Sequence, residues 1–90
     1  MQKALVAVTG VDRPGIIARV SGALYGMNIN VLEISQTILD GYFTMLMVVD
    51  ISQATEDLSG AARALEAAGS ELGVKASIQL ADIFQAMHRI

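Results

Sequence analysis

Apolar residues along this chain fall into successive segments whose period switches between that of a strand and that of a helix. From Lys3 to Thr9 the run KALVAVT is apolar on both parities and rich in valine, which predicts a central strand covered on both faces. After a DRPG turn, Ile16, Ile17, Val20, Ala23, Leu24 and Met27 make one stripe of an amphipathic helix. Pro14 suits the first turn of that helix, where its missing N–H has no intrahelical partner to lose, and the helix is expected to stop near Gly26 and Asn28. Residues 30 to 39, NVLEISQTIL, are β-branched and roughly alternating, and Asp40-Gly41 then marks a tight hairpin into YFTMLMVVDI. Residues 52 to 55 supply capping side chains for a second stripe, Leu58, Ala61, Ala62, Leu65, Ala68 and Leu72, which ends near Gly73. Val74, Ala76, Ile78 and Leu80 alternate with Lys75, Ser77 and Gln79, so the last strand has one dry and one wet face. Ile83, Phe84, Met87 and Ile90 return to helical spacing and predict a short amphipathic tail helix with Asp82 near its start.

The order β-α-β-β-α-β predicts an α+β fold of the ferredoxin-like kind. A four-stranded antiparallel sheet carries two helices on one face, and a short C-terminal helix follows. No linker, repeat or low-complexity segment divides residues 1–90, which read as a single domain. A chain of this length hides only a little more than half of its unfolded surface, while 53% of its residues are hydrophobic. A homodimer is the expected way of covering the remainder.

Composition removes several functions. The mean hydropathy of +0.52 is far above that of a disordered chain. Yet the longest uncharged run, residues 20 to 32, is shorter than the roughly 20 residues a membrane span needs. With Met1 leading straight into a strand pattern and no leader-like segment, the chain reads as soluble and cytoplasmic, with no membrane partner. Without cysteine there is no disulfide framework and no thiolate chemistry. A net charge of −3, with six basic residues scattered singly, offers no surface for nucleic acid. His88 stands alone on the tail, and Met45 and Met47 read as packing rather than as a thioether metal site, so neither a metal nor another cofactor is expected.

The turn between the first strand and the first helix is the candidate site. Gly15 leaves no side chain over the backbone N–H groups of Gly15, Ile16 and Ile17, where a carboxylate would meet the positive end of the helix dipole. Asp12, just ahead, is placed either to cap the helix or to accept hydrogen bonds from an ammonium group. A zwitterion satisfies both poles. Arg13 stands beside Pro14, either over the pocket or in solvent.

DRPGI at this turn, GMNIN at the end of the first helix and NINV opening the second strand together resemble the ACT-domain family, and the resemblance extends over essentially the whole chain. The tail DIFQAMHRI is similar to that of small stand-alone prokaryotic members. What the resemblance implies is a non-catalytic regulatory module that binds an amino acid as a homodimer and signals to a regulated protein partner. It implies that Asp12 and Gly15 belong to the ligand site, that Asn30 clamps the ligand from strand two, and that Asn28 is a weaker contributor. It also implies a pocket at the dimer interface, with the DRPGI turn of one subunit facing strand two of the other.

Each residue also has a plainer reading. Asp12 reads equally as a helix cap, Gly15 as a backbone requirement, Asn28 as a left-handed helix end and Asn30 as a strand start. Two other functions compete: a ligand-free protein-interaction module, and an acylphosphatase-like hydrolase built around Arg13. The hydrolase is disfavoured because Asp12 would repel a phosphate at that turn and phosphate-loop glycines are missing.

Overall fold

A computed structural model of the chain describes residues 1–81. They form β1 (Lys3–Val11), α1 (Ile16–Gly26), β2 (Asn30–Leu39), β3 (Tyr42–Asp50), α2 (Leu58–Glu71) and β4 (Lys75–Leu80). The expected C-terminal helix falls on residues outside those described. The sheet order is β2-β3-β1-β4 and every neighbouring pair is antiparallel, which is the ferredoxin-like arrangement. β1 is central because its two flanks pair with β3 and β4, leaving β2 and β4 as the edges.

Period-two alternation builds the core. Ala4, Val6 and Val8 of β1 are fully buried alongside Met45, Met47 and Val49 of β3, and all face the helices. Val20 and Leu24 of α1 and Leu65 and Ala68 of α2 close over them. The two methionines fill the centre of this layer, where their flexible thioethers adapt to the irregular space under two helices. On the opposite face, Leu5 and Ala7 are only half-buried and Thr9 is exposed. The expectation that β1 is covered on both faces is therefore not met within residues 1–81, because both described helices pack on one side.

Three boundaries differ from the sequence reading. β1 runs on to Val11, since Gly10 and Val11 continue the ladder opposite Phe43 and Tyr42. α1 begins at Ile16, with Gly15 as its N-cap at φ 92°, ψ −4°, so Pro14 lies ahead of the helix rather than in its first turn. The chain swings from strand to helix through the left-handed conformation of Gly15, which no proline preference reveals. The cap of α2 is Asp57, whose side chain accepts the Gly60 N–H at 2.7 Å, and not a residue of 52–55. Ser52 instead turns back to Asp50, donating both its N–H and its hydroxyl to that carboxylate at the end of β3.

Asp40 and Gly41 have φ of 52° and 81°, the two positive values that a two-residue type I′ hairpin requires. Asn28, at φ 59°, ends α1 in the left-handed region.

Candidate functional site

The DRPGI turn opens into a shallow depression of about 260 Å³ between the start of α1 and β2. Asp12, Arg13 and Gly15 form one rim, Gln36 and Ile38 of β2 the other, and Ile16 and the buried Phe43 lie between them. β1 and β3 are continuous under this end of the sheet. The backbone N–H of Asp12 donates to the Gly41 carbonyl oxygen at 2.9 Å, so the turn and the β2–β3 hairpin are tied together.

No side chain caps α1, and no acidic residue occupies its first turn. The first N–H groups of the helix therefore keep their need for an acceptor, at the positive end of the helix dipole. The Asp12 side chain makes no capping bond, so its carboxylate remains exposed at the rim. Nothing lies within 4 Å of where a Gly15 Cβ would stand, so backbone conformation rather than crowding selects glycine here.

The Arg13 guanidinium points away from an anion site. Its Nη1 donates to the Leu72 carbonyl oxygen at 3.2 Å, at the C-cap of α2, where a cation meets the negative end of that helix's dipole. In the first turn of α1, Arg19 pairs with Glu71. The hydrogen bond and charge of Glu71 raise the Arg19 pKa, and Arg19 correspondingly lowers that of Glu71. The start of α1 is thus fastened to the end of α2 at two points.

Asp12, Arg13, Gly15 and Ile16 come together as the sequence suggests, whereas Asn28 and Asn30 do not join them within one chain. Asn28 donates its side-chain amide to the Gln53 carbonyl at 2.9 Å, a bond that fastens the end of α1 to the loop before α2. Asn30 stands opposite Asp50, which stands opposite Lys3, at the far end of the sheet from Val11. That is about 26 Å from the DRPGI turn at a strand rise of ~3.3 Å per residue. Gln36, Ile38 and Phe43 escaped the sequence reading because their approach depends on register. The available signal was Gln36, a polar side chain on the same strand parity as Ile34 and Ile38.

A larger groove of about 730 Å³ runs along the edge of β4 beside Thr9, Lys75 and Ser77, with Glu66 and Ser70 of α2. It gathers one carboxylate, one ammonium and small side chains, and shares no residue with the DRPGI turn. Among the described residues no group of three His, Cys, Asp or Glu side chains is placed to hold a metal ion. Nor is any described helix long and apolar enough to cross a membrane.

Comparison with known proteins identifies the fold and the family. The ACT-domain family model matches residues 2–80. The UPF0237 protein of Methanocaldococcus jannaschii is 50% identical over 90 residues, covering 100% of each chain. An ACT domain protein from Streptococcus pneumoniae superimposes with a TM-score of 0.81 at 44% identity, covering 92% of this chain and 93% of that one. The regulatory subunit of aspartate kinase from Thermus thermophilus, solved free of ligand, matches with a TM-score of 0.66 at 29% identity, over 87% of this chain and 51% of its own. Motif, topology and similarity over nearly the whole length agree, and the chain belongs to the ACT-domain family, a regulatory, small-molecule-binding fold.

Proposed function

We propose that this chain is a non-catalytic cytoplasmic amino-acid sensor, a single domain that works as a homodimer and binds its ligand between the DRPGI turn of one subunit and β2 of the other. The observation that carries this reading is the depression beside β2. At about 260 Å³ it falls below the roughly 300–1,000 Å³ usual for an enclosing ligand site, so one subunit offers half a pocket. Its β2 wall is an edge strand whose Ile34 and Ile38 are 50% and 57% exposed, apolar surface that a second subunit would cover.

Two-fold pairing of β2 with β2 runs the strands antiparallel. The end of the partner's strand then arrives beside the hairpin end of this one, and the partner's Asn30 approaches Asp12. In the assembled site, the ligand carboxylate accepts from the uncapped N–H groups of Ile16 and Ile17. Asp12 takes the ammonium group, and Gln36 with the partner's Asn30 supplies amide contacts. A ligand bridging two subunits favours the dimer geometry in which both halves meet, and that population shift is the signal read by a regulated protein. No side chain in this scheme forms or breaks a bond, and the engagement of Arg13 with Leu72 leaves no arginine aimed at a phosphate.

The exposed Ile34 and Ile38 also support a second reading, an interaction module that docks a partner on β2 without any ligand. Calorimetric titration with the twenty amino acids, alongside light scattering, separates the two. The sensor reading expects a dimer and saturable heat from at least one amino acid. A dimer or monomer that binds none of them overturns it and leaves the interaction module.

A further inference from the structure

Backbone direction along the sheet follows from two hydrogen bonds at the ends of β1. The N–H of Asp12 donates to the Gly41 carbonyl and the N–H of Ile51 to the Gln2 carbonyl, each at 2.9 Å, and both continue the β1–β3 ladder. Even-numbered residues of β1 therefore aim their N–H and C=O groups at β3, and Leu5, Ala7 and Thr9 aim theirs at β4. Gln79, Ser77 and Lys75 answer them, which turns the backbone groups of Ala76, Ile78 and Leu80 outward from the sheet. Val74 has the same parity, and its N–H points away from β1 to the Gly69 carbonyl, at 2.9 Å in the last turn of α2. Beyond Val74 the outward groups of β4 meet no described residue, because this strand is an edge.

The groove of about 730 Å³ straddles this edge, with Glu66 and Ser70 of α2 on one wall and Thr9, Lys75 and Ser77 of the opposite sheet face on the other. A missing Cβ at Gly69 lets α2 press on the start of β4, where it would stand 2.7 Å from the Val74 carbonyl oxygen. The helix runs back along β4 from there, so Glu66, about one turn earlier, is level with Ala76 and Ile78. Among the described residues neither Glu66 nor Lys75 has an ion-pair partner. Hydrogen-bonding groups along the floor and opposite charges on the two walls fit an extended chain, whose backbone fills the floor while alternate side chains fall to either wall. A second copy of β4 fits less well. In the register that uses all three outward residues, Ile78 meets itself across a two-fold axis and two copies of Glu66 approach on the same side of the joint.

We propose that β4 is a docking edge for an extended segment of a partner protein, which adds antiparallel to Ala76 and Ile78 as a fifth strand. The segment alternates, with a basic side chain on the α2 side toward Glu66 and an acidic one on the other side toward Lys75. The inference rests on backbone direction and charge within residues 1–81, and depends neither on an amino acid being bound nor on how β2 pairs.

The test uses the full-length protein and a capped, fluorescein-labelled peptide, VSVTKE. Laid antiparallel on β4, it sets its second valine opposite Ile78, its lysine opposite Ala76 and its glutamate opposite Lys75. Fluorescence polarisation is expected to show saturable binding. N-methylation of that valine and the lysine, whose N–H groups face β4, should weaken it by about tenfold or more. N-methylation of the threonine and the glutamate, whose N–H groups face away, should change it by less than about threefold. Lys75→Glu, checked for a native melting transition, should weaken binding, and replacing the peptide's glutamate by lysine should restore it. Hydrogen exchange should slow at the Ala76 and Ile78 amides when peptide is added, and not at Ile34 or Ile38 of β2. No saturable binding, equal loss from the two methylations, or protection on β2 instead of β4 would each overturn the proposal. So would Ala76 and Ile78 amides that are already protected before peptide is added, since the edge would then be covered.

Discussion

The backbone N–H of Asp12 donates to the Gly41 carbonyl oxygen at 2.9 Å, which makes the turn before α1 and the tip of the β2–β3 hairpin one mechanical unit. Gly41 holds φ at 81°, where a side chain is strained by about 1–2 kcal/mol. Gly41→Val therefore lowers Tm by about 4–8 °C for each kcal/mol of that strain. It also moves the rim residue Asp12, so amino-acid affinity falls further than an equally destabilising core substitution such as Leu65→Val would make it fall. Thermal melts and titrations on the two variants check the difference.

Gly15 gives a sharper test of why a glycine stands at the turn. Space around its missing Cβ is open and its φ is 92°, so the penalty for replacement is conformational. Asparagine, which tolerates the left-handed region, is expected to retain more stability than alanine, and alanine more than β-branched valine. Chemical denaturation of the three variants reads the order directly. Equal losses for all three would show that left-handed backbone is not what selects glycine here.

Asp12 and Asp57 look alike in sequence, each lying just before a helix, but only Asp57 bonds the helix behind it. Asp57→Ala is expected to cost about 1 kcal/mol of stability. Asp12→Ala should stay within about 0.5 kcal/mol of wild type while losing amino-acid binding. Denaturant midpoints compared with titration heats separate the two aspartates.

The pairing of Arg19 with Glu71 predicts a pH dependence. The Arg19 hydrogen bond, and then its charge, hold the Glu71 pKa below the ordinary carboxylate value. Asp50 is lowered in the same direction by the Ser52 hydroxyl and then the Ser52 N–H. Groups depressed in the folded state bind fewer protons there than when unfolded. Their contribution is complete above the ordinary carboxylate range near pH 4–5 and disappears as pH falls through the lowered folded values. The Tm difference between wild type and Glu71→Gln should therefore shrink toward acid pH. It should also shrink in high salt, because the pair is exposed.

Much of this fold is legible in the chain because its signals are local. The alternation of 30–39, the Asp40-Gly41 pair and the stripe from Leu58 to Leu72 each report their own backbone. What could not be read is set by distant partners. The extension of β1 to Val11 depends on Tyr42, and the choice of Asp57 over residues 52–55 as cap depends on Ser52 turning back to Asp50. At the site, Asp12, Gly15 and Ile16 are neighbours in sequence and were found together. Gln36 and Phe43 reach them only through the register of β2 on β3. Asn30 carries a motif signal yet sits at the opposite end of its own strand, so its membership of the site depends on a second subunit.

That dependence gives the most direct test of a ligand site shared between subunits. Asp12→Ala and Asn30→Ala homodimers should each lose amino-acid binding, since every site in them lacks one contact. Exchanging subunits between the two should restore it, because each mixed dimer carries one site with both defects and one with neither. Equal mixing makes half of the dimers mixed and so returns about a quarter of the wild-type number of sites at wild-type affinity. Calorimetric titration of the exchanged mixture, with the amino acid that the wild-type protein binds, is the measurement. Recovery of that fraction is the predicted result, and a mixture as inactive as its two parents would contradict a site built from two subunits.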